Sequence, residues 1–334
     1  MDKNRYISLK KGNVEMLVDK IGAQIVSFKI DGVEVMYQGA LNPSNSKWKA
    51  TAKNLFPNPG PVGTTNDVYG ELKTEEYDVN GKIEDHVIYV HNGGKYHMGQ
   101  HGFAQSKEFR VGGVTDDTCV LSISAKNNQT YTEYPYDYTY YIALGLEEYG
   151  FNYLSCAQNN DTKPMLAGMG WHPAFKLHGN PKNYSLVLKN LVKDEECELE
   201  ENVEYDIYET VILKNKSRRF TGIKSANVVL MYTDENGEKI PYLSMHVEDP
   251  ILILWSKNAE DDTQEQFICI EPWNTTPRQI NNLTTQDKTR EIREKGAVII
   301  EPGEQSKLSA TIEVNPEYIA KIAKNKDKNV KNSR

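Results

Sequence analysis

Apolar positions recur mostly at every second residue. Val14, Met16 and Val18 set the period, and Phe28 and Ile30 continue it into Asp31-Gly32 and on to Val33 and Val35. Alternation of this kind places one side of a strand against a core, and Asp-Gly tolerates the positive φ angles of a two-residue hairpin turn. The sign returns at Asn80-Gly81, after Tyr77 and Val79, and at Asn236-Gly237, between 228–232 and 240–245. Segments 134–146 and 149–156 are rich in Tyr, Thr, Ile and Phe and are expected to form a long antiparallel pair.

Helical signals are few. Asn315-Pro316-Glu317, followed by Tyr318, Ile319 and Ile322, predicts a short helix, because Asn caps a helix and Pro suits its first turn. Lysines then crowd the sequence, and the helix is expected to dissolve among them. There is no internal repeat and no Gly/Ser linker, and the polar stretches 194–205 and 258–266 read as long loops or edge hairpins. Parallel sheets need crossover helices that are missing here, so the expected fold is all-β, a large antiparallel β-sandwich with few short helices. One domain over 1–315 is expected, then a short helix and a basic, flexible tail over 316–334.

Composition adds limits. Thirty-nine Lys and Arg against 47 Asp and Glu give a net charge of −8. Residues 321–334 alone hold six basic residues and one acidic, so positions 1–320 carry a net −13. Such a body repels phosphate backbones, and nucleic acid is not expected as a partner. Cys119, Cys156, Cys197 and Cys269 form no CxxC pair and are expected to be reduced, packed thiols. Neither a signal-peptide core nor an apolar run of membrane-spanning length is present, and the expected location is cytoplasmic, with no membrane partner.

GxGxxG, P-loop, GxSxG and HExxH motifs are all absent, so the dehydrogenase, kinase and serine-esterase readings lose most of their support. Three segments set an ionisable residue among Gly, Pro and aromatics. In Met98-Gly99-Gln100-His101-Gly102-Phe103-Ala104, the glycines allow close backbone approach and His101 titrates near neutrality. His97 and His101 have HxxxH spacing, but Gly99 and Gly102 argue against a helix and no third ligand is evident, so no metal is expected. In Gly170-Trp171-His172-Pro173-Ala174-Phe175, the proline biases His172 to extended backbone. On its own, His172 reads better as a packed core residue than as a proton donor beside an aromatic face. In Phe267-Ile268-Cys269-Ile270-Glu271-Pro272-Trp273-Asn274, a buried strand runs into Glu271, and burial raises a carboxyl pKa toward the range of a general base. Glu248-Asp249 reads as a solvated turn.

The order of a His-Gly-Phe loop, a Gly-x-His-Pro-x-Phe segment and a strand ending in Glu-Pro-Trp resembles the aldose 1-epimerase (galactose mutarotase-like) superfamily, in its less characterised bacterial branch. Trp48, Leu55-Phe56-Pro57, Tyr134-Pro135-Tyr136 and Lys163-Pro164-Met165 extend the likeness over roughly residues 5 to 314. The resemblance implies a supersandwich of antiparallel sheets and an anomer interconversion that uses no cofactor, acting on a small-molecule sugar. It implies Glu271 as general base, His172 as the acid at the ring oxygen and His101 as the histidine supporting that oxygen. Trp273 and Trp171 are candidate sugar platforms, and Phe103, Gln105 and Arg278 further candidates for substrate binding. Monomer and homodimer are both left open.

The chain also departs from the branch. Where Phe-Pro-x-x-Gly-Arg is usual, it reads Phe56-Pro57-Asn58-Pro59-Gly60-Pro61, and Gln105 replaces a common arginine after His-Gly-Phe-Ala. Arg278 and Lys53 are candidates to replace the lost cations. The leading expectation is an epimerase of a free aldose. A hexose-6-phosphate 1-epimerase, disfavoured by the missing arginines, and a catalytically silent sugar-binding relative are the alternatives. A glycosidase needs two carboxylates flanking the bond, and only one is well placed.

Overall fold

The computed structural model describes residues 4–39, 51–60, 73–79, 82–91, 94–213, 217–257, 266–275 and 298–332. All strand pairing within its sheets is antiparallel, and short helices are a minor element, as the period-two pattern predicts. Ile30 pairs with Val33 across Asp31-Gly32, whose φ angles of 51° and 73° are those that Asp-Gly accommodates. Asn80-Gly81 lies outside the described residues, although Val79 and Lys82 on its two sides are paired. Tyr138–Glu147 and Gly150–Asn159 pair along their whole length, from Tyr138 opposite Asn159 to Glu147 opposite Gly150. The pair begins at Tyr138, because Tyr134 and Tyr136 belong to the turns before it, where Tyr134 donates its hydroxyl to the Leu166 carbonyl at 2.5 Å.

A nine-stranded sheet, with Gln305–Val314 at its centre, packs over a four-stranded N-terminal sheet and a five-stranded sheet. The five-stranded sheet runs in the order Arg218–Phe220, Ile251–Trp255, Gln266–Trp273, Gly170–Leu177 and Ala52–Leu55. Its two faces serve different ends. Leu252, Leu254, Ile268, Ile270, Trp171 and Phe175 enter the main core, which also holds Phe28, Phe151 and Tyr153. Their alternate neighbours Ile251, Ile253, Trp255, Phe267, Cys269, Trp273, Ala174 and Leu55 form two smaller apolar groups on the opposite face. Apolar burial on both faces explains why Ile251–Trp255 and 267–270 read as unbroken apolar runs. All four cysteines are buried free thiols, and Glu248 and Asp249 are exposed.

The C-terminal helix, Pro316–Asn332, continues through the lysine-rich stretch, beyond the short helix expected. Its anchor is Tyr318, whose ring stacks on Tyr242 with centroids 4.1 Å apart and whose hydroxyl meets that of Tyr184 at 2.8 Å. Asn315 Oδ1 accepts from the Glu317 amide, the cap that Asn-Pro-Glu predicts. Among the described residues no helix is long and apolar enough to cross a membrane.

Candidate active site

The second face of the five-stranded sheet brings the sequence-predicted acid and base together. Side chains alternate along a strand, so Gly170, His172 and Ala174 face one way while Trp171 and Phe175 face the core. Pairing of Gly170 with Trp273 and of Ala174 with Cys269 sets His172 opposite Glu271. The same row continues to Ile253 beyond Glu271 and to Lys53 beyond His172. His172 Nε2 lies 3.3 Å from Glu271 Oε1, both side chains being almost wholly buried. Trp273 Nε1 donates to Glu271 Oε2 at 3.2 Å, so each carboxylate oxygen has a partner. Gly170 leaves room for this indole: a Cβ there would lie 2.7 Å from Trp273 Cδ1.

Burial governs the charges. It pushes the Glu271 carboxyl well above the usual carboxylate range, opposed by the Trp273 hydrogen bond and by the Lys53 charge. It pushes the His172 imidazole well below its ordinary value, with His101 and Lys53 acting in the same direction. The two groups touch, so they titrate as one unit. A pair holding one proton can place it on Oε1, leaving both groups neutral, or on Nε2, leaving carboxylate and imidazolium.

His101 comes from a different part of the chain and is fixed by backbone geometry. Its φ is 68° and that of Gly102 is 71°, so a turn, not a helix, carries it. Its amide donates to the Gly60 carbonyl at 2.9 Å, and the Gly60 amide donates to His101 Nδ1 at 2.9 Å. An accepting Nδ1 puts the ring proton on Nε2. Gly102 presses against the chain at Phe56, where a Cβ would lie 2.2 Å from the Phe56 carbonyl oxygen, so only glycine fits. The imidazole stands edge-to-face to His172, with centroids 5.7 Å apart, and to Trp273, at 6.1 Å. Burial, with a contribution from Lys53, pushes its pKa down to about 3, so it is a neutral hydrogen-bond donor at Nε2.

Other expected binding residues fall elsewhere. Trp171 is a core residue: its ring stacks on Tyr153 at 4.4 Å and 12°, on the face turned away from Glu271. One residue separates it from His172, and strand alternation sends the two apart, which corrects its assignment as a sugar platform. Phe103 likewise packs in the core, 6.0 Å edge-to-face from Phe56 and near Tyr134 and Tyr138. Gln105 donates to the Gln100 carbonyl at 2.9 Å, tying the two ends of the loop that presents His101, so it braces that loop. Arg278 and Pro61 lie outside the described residues. Two further residues complete the surroundings, Lys53, a candidate cation in the sequence, and Trp255, which the sequence did not single out. Lys53 acts electrostatically on His101, His172 and Glu271 through its place in the row, and half-buried Trp255 stands edge-to-face to His172 at 5.7 Å. Register across sequence-distant strands places both, and no local pattern signals it.

His172, Cys269 and Glu271 also bring one potential ligand atom each within 4.8 Å of one another. A divalent cation there would meet the Lys53 charge, and it would need a thiolate at Cys269, whose thiol burial pushes well above its ordinary range. This environment suits proton exchange better than metal binding.

Comparison with known proteins follows the same lines. A structure of a galactose mutarotase-like protein from Lactobacillus casei ATCC 334 superposes with a TM-score of 0.65 at 19% identity, covering 93% of this chain and 100% of that one. A galactose mutarotase related enzyme from Lactobacillus acidophilus gives 0.66 at 19% identity, over 93% and 97% of the two chains. A protein from Synechocystis sp. PCC 6803 gives 0.62 at 17%, over 93% and 95%. At these identities the likeness establishes the fold, a galactose mutarotase-like β-sandwich. No curated protein matches the chain. The family model described as aldose 1-epimerase matches residues 5–292, a span that includes His101, His172 and Glu271 and most of the sequence. The chain therefore belongs to the aldose 1-epimerase family.

Proposed function

We propose that the protein interconverts the α and β anomers of an aldose by acid–base opening and closure of the sugar ring. The observation that carries this reading is the enclosed contact between His172 Nε2 and Glu271 Oε1 at 3.3 Å. Opening a hemiacetal needs a base at the anomeric hydroxyl and an acid at the ring oxygen, two atoms bonded to the same carbon. A carboxylate and an imidazolium side by side meet that demand. Glu271 takes the proton from O1, His172 gives its proton to the ring oxygen, and the bond between C1 and that oxygen breaks to leave the aldehyde. Rotation about C1–C2 presents the other carbonyl face. Reclosure returns the proton from Glu271 to O1 and takes the ring-oxygen proton back onto His172, so the pair keeps one proton throughout.

The surroundings favour this cycle. Ring opening turns carboxylate and imidazolium into two neutral groups, the arrangement burial prefers, and Lys53 opposes protonation of Glu271. Neutral His101, with its proton on Nε2, donates a hydrogen bond as charge shifts onto the oxygens. Trp273 supplies an aromatic face beside the base. No step calls for a cofactor.

Proton NMR on a freshly dissolved α-aldose tests the reading over a panel of hexoses and pentoses. Faster appearance of the β signals, with no new sugar formed, is the expected result. Release of a new sugar would replace the reading with glycoside cleavage. Ligand-induced shifts without faster exchange would make the protein a silent sugar binder.

A further inference from the structure

A groove of about 660 Å³ lies on the nine-stranded sheet, where Lys239–Glu248, Gln305–Val314 and Gly150–Asn159 run side by side. Leu243, Ile312 and Phe151 turn into the core, so their alternate neighbours Ser244, Glu313 and Asn152 face outward. Tyr149, Pro241 and Pro316 give the groove apolar surface, and Glu147, Glu148 and Glu313 give it carboxylates. Glu147 accepts from Asn152 at 2.8 Å and faces Lys11 at 3.4 Å, whereas Glu148 and Glu313 are exposed and no described residue forms an ion pair with either. An occupant that suits this surface is cationic.

The C-terminal helix, Pro316–Asn332, starts at the groove and leads away from it. The Asn315 amide donates to the Tyr242 carbonyl at 2.9 Å, and Lys321 reaches Asp234 and Glu238, in the turn before strand Lys239–Glu248. The helix therefore runs from Tyr242 back toward that turn, with Ser244 and Asn152 behind it. An unbroken helix of 17 residues is about 25 Å long and cannot fold back onto the groove where it begins. Tyr318, Ile319, Ile322 and Ala323 pack against the core, all in its first half. Residues 324–332 hold four lysines, one aspartate and a single apolar residue, Val330. Like charges four residues apart, as at Lys324 and Lys328, weaken a helix, and a stretch without an apolar face gains nothing from packing on its own body. A surface of opposite charge supplies the missing support.

We infer that residues 324–332 of one copy dock in the acidic groove of a second copy, and reciprocally, to give a two-fold homodimer. Each chain carries both halves of the contact, which is what a closed pair requires. Lysine stems lie on apolar surface while their ammonium groups reach carboxylates, which matches Tyr149 and two prolines beside three glutamates. The contact holds few apolar atoms, so it is weak, with a Kd in the micromolar range, and sensitive to salt. Anionic lipid attracts lysines too, but it leaves the carboxylates of the groove without a partner. The groove and the His172–Glu271 pair belong to different sheets, so the inference stands apart from the reading of the active site.

Sedimentation velocity over a concentration series tests it on the intact protein and two charge reversals. One carries Lys324→Glu, Lys326→Glu, Lys328→Glu and Lys331→Glu in the helix, the other Glu148→Lys and Glu313→Lys in the groove, with circular dichroism and thermal unfolding to show that each folds. The intact protein is expected to dimerise at micromolar concentration, with Kd rising about tenfold or more between roughly 0.05 and 0.5 M salt. Each reversal alone is expected to stay monomeric at those concentrations. An equal mixture of the two is expected to form dimers again, because both reciprocal contacts then join opposite charges. An intact protein that stays monomeric, a dimer that either reversal leaves unchanged, or a mixture that does not associate overturns the inference. A monomeric protein that sediments with phosphatidylserine vesicles, and ceases to do so in the helix reversal, overturns it in favour of a lipid surface.

Discussion

Replacing Gly170 with alanine would test how the base is held. The new Cβ would lie 2.7 Å from Trp273 Cδ1 and 3.1 Å from Nε1, closer than carbon atoms pack. An ordinary contact begins near 3.4 Å, so the rigid indole must retreat by about 0.7 Å, with Leu55 and Ile253 behind it. That retreat stretches the 3.2 Å bond from Trp273 Nε1 to Glu271 beyond hydrogen-bonding range. A hydrogen bond to a charged group contributes about 1.5–3 kcal/mol, which corresponds to about one to two pKa units on Glu271. Overpacking costs about a further 1–3 kcal/mol of stability. The sign is fixed: losing a donor to the carboxylate raises the Glu271 pKa further, so the acid limb of kcat/KM for anomer exchange moves to higher pH by about a unit or more. Polarimetric rates over a pH series read the first effect and thermal unfolding the second. Trp273→Phe separates them, since it removes the donor without the clash and should move the pH limb alone. An unchanged acid limb and an unchanged melting temperature in Gly170→Ala would refute the packing argument.

Three further outcomes follow from the same geometry. Trp171→Ala should cost about 3–5 kcal/mol of stability, read by urea unfolding, while KM for the sugar stays within a factor of two, because the ring faces Tyr153 and not Glu271. Gln105→Ala, which frees the loop carrying His101, should lower kcat several-fold with the His172–Glu271 pair intact, read by anomer exchange at saturating sugar. His101 stays neutral in the folded protein down to about pH 3 but gains a proton near 6.5 when unfolded, so stability is full above 6.5 and falls with pH below it. The slope from this group is at most about 1.4 kcal/mol per pH unit, and denaturant titrations between pH 7 and 5 should show a shallower loss in His101→Asn.

Local chemistry made much of the fold legible. The Asp31-Gly32 hairpin, the long pair ending at Cys156 and Asn159, and the capped start of the C-terminal helix each depend on residues close together in sequence. His101, His172 and Glu271 stood out because each interrupts a Gly, Pro or aromatic setting. The errors share one cause, which is that periodicity cannot say what lies on each side of a strand. Residues 170–177 are buried on both faces, so Trp171 and His172 read alike until register puts one against Tyr153 and the other against Glu271. Phe103 follows His101 closely in sequence but turns with Gly102 into the aromatic core. Lys53, a candidate cation in the sequence, and Trp255 take their places beside His172 through register and packing between strands far apart in sequence, which no window along the chain records.

The acid–base pair itself is tested most directly by proton NMR of anomer exchange on one accepted aldose at pH 7, with the intact protein, Glu271→Gln and His172→Asn at equal concentration. Positioned acids and bases each contribute about 10² to 10⁴-fold, so both variants should fall by that factor while circular dichroism shows the sandwich intact. A Glu271→Gln variant that exchanges anomers as fast as the intact protein would contradict the assignment of the base.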